Sequence, residues 1–233
     1  MNINKRYIPD IVLAVVISVS AVLYLIFGHI AFKATASIGF VVMGIVNYAI
    51  VRKNIGRYRK FSLILLCGLF CAMVGDIVLN YNFIAGAGIF AVGHLFFFIA
   101  QCFMRRPDRK ALITDIICIA CWLLITSAIL FFAPLNFNSS LMFGVCLGYA
   151  AVISVMTGKA LSNFVQTRRP LYTHLLVGTT AFLLSDIMLV FNVFGERMKI
   201  TNILCIVLYY FAEMALANVF FPAEKQAMSG NDA

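Results

Sequence analysis

The chain has 233 residues, of which 63% are hydrophobic and 12% charged, with a formal net charge of +9. A soluble domain is near half apolar and about one quarter charged, so an ordinary water-soluble fold is excluded and an all-α membrane protein is expected. The basic residues sit in alternate loops rather than on one face, which argues against a nucleic-acid partner and for a lipid bilayer.

Crossing a hydrocarbon core takes about 20 apolar residues, and apolar runs set against charged or turn-rich breaks predict a bundle of eight transmembrane helices. The first, about 10–28, follows Lys5 and Arg6. It has no convincing small-residue cleavage site and reads as a span rather than a signal peptide. The second, about 32–51, is divided from it only by Gly28-His29-Ile30, and Lys33 lies near its start. Arg52, Lys53, Arg57, Arg59 and Lys60 lead to the third, about 61–80, which holds Gly75-Asp76-Ile77-Val78-Leu79 and Asn80, with Asn82 just beyond. The fourth, about 84–104, has His94 in its middle and is followed by Arg105, Arg106, Arg109 and Lys110.

The fifth span, about 112–132, opens on Asp115, where an acidic residue suits a helix N-terminus. Asn138-Ser139-Ser140 matches a glycosylation sequon but abuts a span. The sixth, about 139–159, contains Tyr149, and Lys159, Arg168 and Arg169 close it. The seventh, about 172–194, carries Ser185-Asp186-Ile187-Met188-Leu189 and Asn192, and the eighth, about 200–221, Tyr209-Tyr210-Phe211-Ala212-Glu213. Basic loops alternate with nearly neutral ones, Arg197 and Lys199 excepted, which places both termini in the cytoplasm. No linker divides the chain, so residues 1–233 form a single polytopic membrane domain.

A shift of 110 residues sets Leu66 on Leu176, Gly68 on Gly178, Asp76 on Asp186 and Asn82 on Asn192. The third and seventh spans run in the same direction, so this predicts a parallel four-plus-four internal duplication. The two aspartates should then converge at one depth. At about 1.5 Å of rise per residue, Lys33, Asp76, His94, Tyr149, Asp186 and Glu213 all fall in the non-cytoplasmic half or at the midplane.

An intramembrane carboxylate costs several kcal/mol and is usually functional. Asp76 and Asp186 read either as structural groups, in a buried hydrogen-bonded pair or a salt bridge to Lys33, or as an acid–base pair in which one donates a proton while the other orients water or holds a developing cation. Lys33 either snorkels to the interface or faces the site. His94 is a satisfied core residue or part of the site, and Glu213 lies too deep to snorkel. The seven cysteines all fall in spans; Cys118 and Cys121 have no second pair and read as packing residues. His29, His94 and His174 cannot meet at one metal, which excludes a tris-histidine site but not an Asp/His/Glu one; no metal or cofactor is expected. GxSxG, HExxH and Gly-rich phosphate-loop patterns are all missing from the sequence.

The words Phe32-Lys33-Ala34-Thr35, Gly75-Asp76-Ile77-Val78-Leu79, Phe90 with Gly93-His94-Leu95-Phe96-Phe97, Tyr149, Ser185-Asp186 and Tyr209-Tyr210-Phe211-Ala212-Glu213 occur in that order. In this the chain resembles the YhhN-like family of eight-span membrane proteins, which includes the lysoplasmalogenases. Two departures are Ala34 where the family usually has proline and Glu213 where it often has glutamine. The resemblance implies hydrolysis of the 1-alkenyl ether bond of a lysoplasmalogen to a fatty aldehyde and a glycerophospho-ethanolamine or -choline. On that reading Asp76 and Asp186 are catalytic, and Lys33 meets the phosphate of the lysophospholipid. Asn80, His94, Tyr149, Asn192, Tyr209 and Glu213 support them. The alternative is a proton-coupled transporter or lipid-binding protein, which should show interrupted helices around a midplane site open to both sides. An enzyme should show continuous helices around a pocket open to one side.

Overall fold

The computed structural model describes residues 6–105, 108–137, 139–196 and 198–229. Lys5, Arg106, Arg197 and the sequon's Asn138 lie outside them. Among the described residues, eight helices are long and apolar enough to cross a membrane, and there is no strand. They are α1 (Ile8–Phe27), α2 (Ile30–Val51), α3 (Arg59–Val78), α4 (Phe83–Cys102), α5 (Arg109–Phe132), α6 (Ser140–Thr167), α7 (Pro170–Phe194) and α8 (Lys199–Ala217). A short α9 (Phe220–Met228) follows.

The helix ends follow from local chemistry. Gly28 closes α1 at φ +67°, a left-handed conformation that costs glycine nothing. His29 then caps α2 through Nδ1, so the narrowest predicted join is a true turn. Asn82, Asp108 and Ser139 cap α4, α5 and α6 by accepting from the backbone N–H of Ala85, Ala111 and Met142.

Two boundaries differ from the sequence expectation. Helix α5 starts at Arg109, capped by Asp108, so Asp115 lies almost two turns inside it rather than at its N-terminus. Helix α6 continues past Lys159 to Thr167, because Lys159 does not end the span: its Nζ lies 2.6 Å from Asp115 Oδ2, and Ser162 also donates to that carboxylate. Arg168, at φ 45°, and Pro170 stop it.

The hairpin pairs α1–α2, α3–α4, α5–α6 and α7–α8 make the largest contacts. Around them runs a closed ring in which α2 meets α3, α4 meets α6, α6 meets α7, and α8 returns to α2. Helices α1 and α5 stand outside it, each with 17% of its apolar window buried, against 33–56% for the others. The order of contacts around the ring repeats on a shift of four helices. Helix α9 packs on α2 and α7; its buried Glu224 accepts from Arg6 and Asn54, and Gln226 donates to Tyr58.

The α3–α4 hairpin, which positions the first aspartate, depends on close backbone approach. A Cβ built on Gly86 would lie 2.6 Å from Leu79 Cα, nearer than real Cβ atoms come. Glycine is therefore needed where the two helices meet beside Asn80.

Candidate functional site

Asp76 sits on the inner face of α3, 4% exposed, with donors on both oxygens. Lys33 Nζ lies 2.9 Å from Oδ1. Ser37 Oγ donates to Oδ2 at 2.6 Å, and the Tyr210 hydroxyl is 3.2 Å from the same oxygen. Lys33 and Ser37 are one turn apart on α2, which puts both on one face. The Lys33 ammonium also reaches Asn80 Oδ1 at 3.4 Å and lies over the Tyr24 ring. Buried charge in this form is paired and hydrogen-bonded, the condition under which it is tolerated.

Asp186, on α7, has a different environment. Tyr149 of α6 donates to its Oδ2 at 2.7 Å, and His94 Nε2 of α4 lies 2.7 Å from the Tyr149 hydroxyl and 3.5 Å from Oδ2. The single Tyr149 proton goes to Asp186, so Tyr149 accepts from His94, which fixes the Nε2–H tautomer. His94 Nδ1 is buried without a hydrogen-bond partner among the described residues, within a collar of Phe90, Phe97 and Phe182. Asp186 Oδ1 has no protein donor among the described residues.

These contacts cross between the two halves of the chain. Asp76, on the third helix, is held by the second helix of its own half and by Tyr210 on the last helix of the other. Asp186, on the seventh, is held by Tyr149 on the sixth and by His94 on the fourth.

Both aspartates line one cavity of about 580 Å³, together with Tyr24, Lys33, Asn80, Asn192, Lys199 and Asn202. Its lining comes from the end of the bundle opposite the basic loops. Asp186 also lines a narrow apolar cleft of about 60 Å³ that runs between α5, α6 and α7 past Ile129, Val145 and Ile153. Leu79, Phe83, Phe90, Asp186 and Leu189 belong to both walls, so Asp186 stands where polar and apolar space meet.

Residues 28–220 match the sequence profile of the YhhN family. The chain belongs to the YhhN family. No curated protein and no solved structure matches it.

Of the residues expected at the site from the sequence, Lys33, Asn80, Asp76, Asp186, Asn192 and Tyr209 line the polar cavity, and His94 and Tyr149 stand behind Asp186. Tyr209 donates to the Ala72 carbonyl at 3.2 Å and packs edge-on against Phe90 and Phe182. Glu213 stands apart: it is fully buried, and neither carboxylate oxygen has a hydrogen-bond partner among the described residues. The matched asparagines do different work, Asn82 capping α4 while Asn192 accepts from Thr201. Sequence reasoning missed Ser37, Tyr210 as a donor, Lys199 and Asn202. Ser37 could have been found from its one-turn spacing to Lys33, and Lys199 from its departure from the charge alternation. Among the described residues no three His, Cys, Asp or Glu side chains converge as a metal cage requires.

Proposed function

We propose that the protein is a membrane-embedded hydrolase of lysoplasmalogen type, cleaving the 1-alkenyl ether bond of a lysophospholipid from the non-cytoplasmic half of the bilayer. Membership of the YhhN family is consistent with this class of activity. The observation that carries the reading is the unequal environment of two aspartates in one cavity. Asp76 has a donor on each oxygen, whereas among the described residues Asp186 has a protein donor on Oδ2 alone, with its carboxyl at the junction of polar and apolar space.

The roles divide accordingly. The first carbons of the alkenyl chain enter the apolar cleft, the rest of the chain running out toward lipid, and the glycerol side lies in the polar cavity, which sets the vinyl ether against Asp186. Asp186 donates a proton from Oδ1 to the outer alkene carbon, and the ether-bearing carbon becomes an oxocarbenium ion. Asp76, held by Lys33, Ser37 and Tyr210, supplies fixed negative charge to that cation without having to reorganise. Water adds to the cation and gives its proton back to Asp186. The resulting hemiacetal collapses to a fatty aldehyde and the free glycerol hydroxyl. Tyr149 and His94 are positioning residues that fix the orientation of the Asp186 carboxyl. Helices α3 and α7 are uninterrupted at their aspartates, which speaks against the transporter alternative.

The test is aldehyde release by purified protein from a lysoplasmalogen and from its saturated alkyl-ether analogue. Aldehyde should come from the vinyl ether alone. Asp76→Asn and Asp186→Asn should each lower turnover by about 10²-fold or more while the protein still folds. Retention of more than about a tenth of the rate in either variant would overturn the assignment.

A further inference from the structure

The proposed reaction leaves the lipid headgroup without a receptor, because the lysine expected there is committed elsewhere. An ammonium has three donors. Those of Lys33 face Asp76, Asn80 and the Tyr24 ring, and the side chain is buried. The other lysine on the cavity wall is Lys199, in the first turn of α8. It is exposed, and among the described residues it forms no ion pair. Asn202, three residues on, lines the same wall.

We propose that Lys199 and Asn202 hold the phosphodiester of a lipid headgroup and so set the preference for phosphate-bearing substrates. The substrate named here and the register that brings its phosphate to this wall rest on the hydrolase reading; the presence of Lys199 and Asn202 on the wall of the cavity does not. The register supports it. Thr201 donates to Asn192, tying the start of α8 to α7 six residues beyond Asp186, roughly 9 Å along the helix. Five bonds separate the ether oxygen of such a lipid from its phosphorus, an extended reach of roughly 6 Å. A vinyl ether at Asp186 therefore delivers its phosphate to the neighbourhood of Asn192, within reach of a lysine side chain from the adjoining turn. Met198, at the N-cap of α8, makes no side-chain hydrogen bond to the first-turn amides, and the N-terminal end of a helix favours an anion. Asn202 supplies a neutral donor and Lys199 the charge, so the site suits a singly charged phosphodiester.

Calorimetry in detergent tests this with three probes: a 1-O-alkyl-lysophosphoethanolamine, which is not cleaved, the matching 1-O-alkylglycerol, and glycerophosphoethanolamine alone. The wild type should prefer the alkyl-lysophospholipid over the alkylglycerol by roughly tenfold or more, the worth of one hydrogen bond to a charged group. Lys199→Gln should bring that ratio near parity, and Lys199→Arg should restore most of it. In turnover, Lys199→Gln should raise KM for a lysoplasmalogen by more than it lowers kcat. A preference unchanged in Lys199→Gln, or none in the wild type, overturns the proposal. So does equal affinity for glycerophosphoethanolamine alone, which would mark a site for soluble phosphate esters. Discrimination by a wild type that releases no aldehyde would leave the headgroup site standing and remove the hydrolase reading. Aldehyde release with an unchanged Lys199→Gln would do the reverse.

Discussion

A carboxylate inside a helical bundle has to be compensated by donors that the bundle itself supplies, and the two aspartates show two ways of doing so. Asp76 is compensated by charge and two hydroxyls, Asp186 by the hydroxyl of Tyr149 backed by His94. Tyr149→Phe tests the second arrangement. It removes the acceptor 2.7 Å from His94 Nε2 and leaves only the longer 3.5 Å approach to Asp186 Oδ2, a cost of about 1–3 kcal/mol, and frees the Asp186 carboxyl to turn. Thermal unfolding should shift down, and kcat should fall by roughly tenfold with a smaller change in KM. A kcat within twofold of wild type would remove Tyr149 from the positioning role. At this scale the aspartates were legible, because charge in an apolar run is conspicuous. Ser37 was not: a serine in a membrane helix is unremarkable until a carboxylate appears across from it.

The α3–α4 hairpin places Asp76 and Asn80 at the cavity only if Leu79 and Gly86 can touch. Gly86→Ala inserts a methyl group where a Cβ would lie 2.6 Å from Leu79 Cα, and backbone cannot swing aside as a side-chain tip can. A loss of about 1–3 kcal/mol is expected, read as a lower melting temperature in detergent. Gly88→Ala is the control, since a Cβ there meets nothing within 4 Å, and its stability should hold or rise. Equal melting temperatures for the two variants would deny the close approach its role. Most helix ends were legible from glycine, proline and capping residues. The end of α6 was not, because Lys159 reads as a stop in any scan of apolar runs. Its partner Asp115 sits 44 residues earlier on another helix.

Across the whole molecule, the ring of six helices with α1 and α5 outside it repeats on a shift of four, and each aspartate is held partly by the opposite half. A rearrangement between halves would therefore disturb both aspartates together. The basic loops lie at one end and the cavity at the other, so the charge alternation of the sequence leads us to propose the non-cytoplasmic side for the cavity end. In a cysteine-free background, Asn136→Cys, between α5 and α6, should react with an impermeant maleimide on intact cells. Lys53→Cys, between α2 and α3, should react only after permeabilisation. The opposite pattern would invert the topology and move the cavity to the cytoplasmic leaflet.

The sequence by itself determined the membrane class, the eight spans, the repeated aspartate words and the family resemblance, all of which rest on local composition and on spacing along single helices. The tertiary structure decided what those residues meet. Asp76 and Tyr210 are 134 positions apart, Tyr149 and Asp186 are 37 apart, and Lys33 reaches Asn80 across 47. Periodicity says which face of a helix a residue occupies but not which helix lies opposite. That Lys33 faces Asp76, that one aspartate has donors on both oxygens while the other, among the described residues, has them on one, and that Lys199 reaches the same cavity are consequences of packing order.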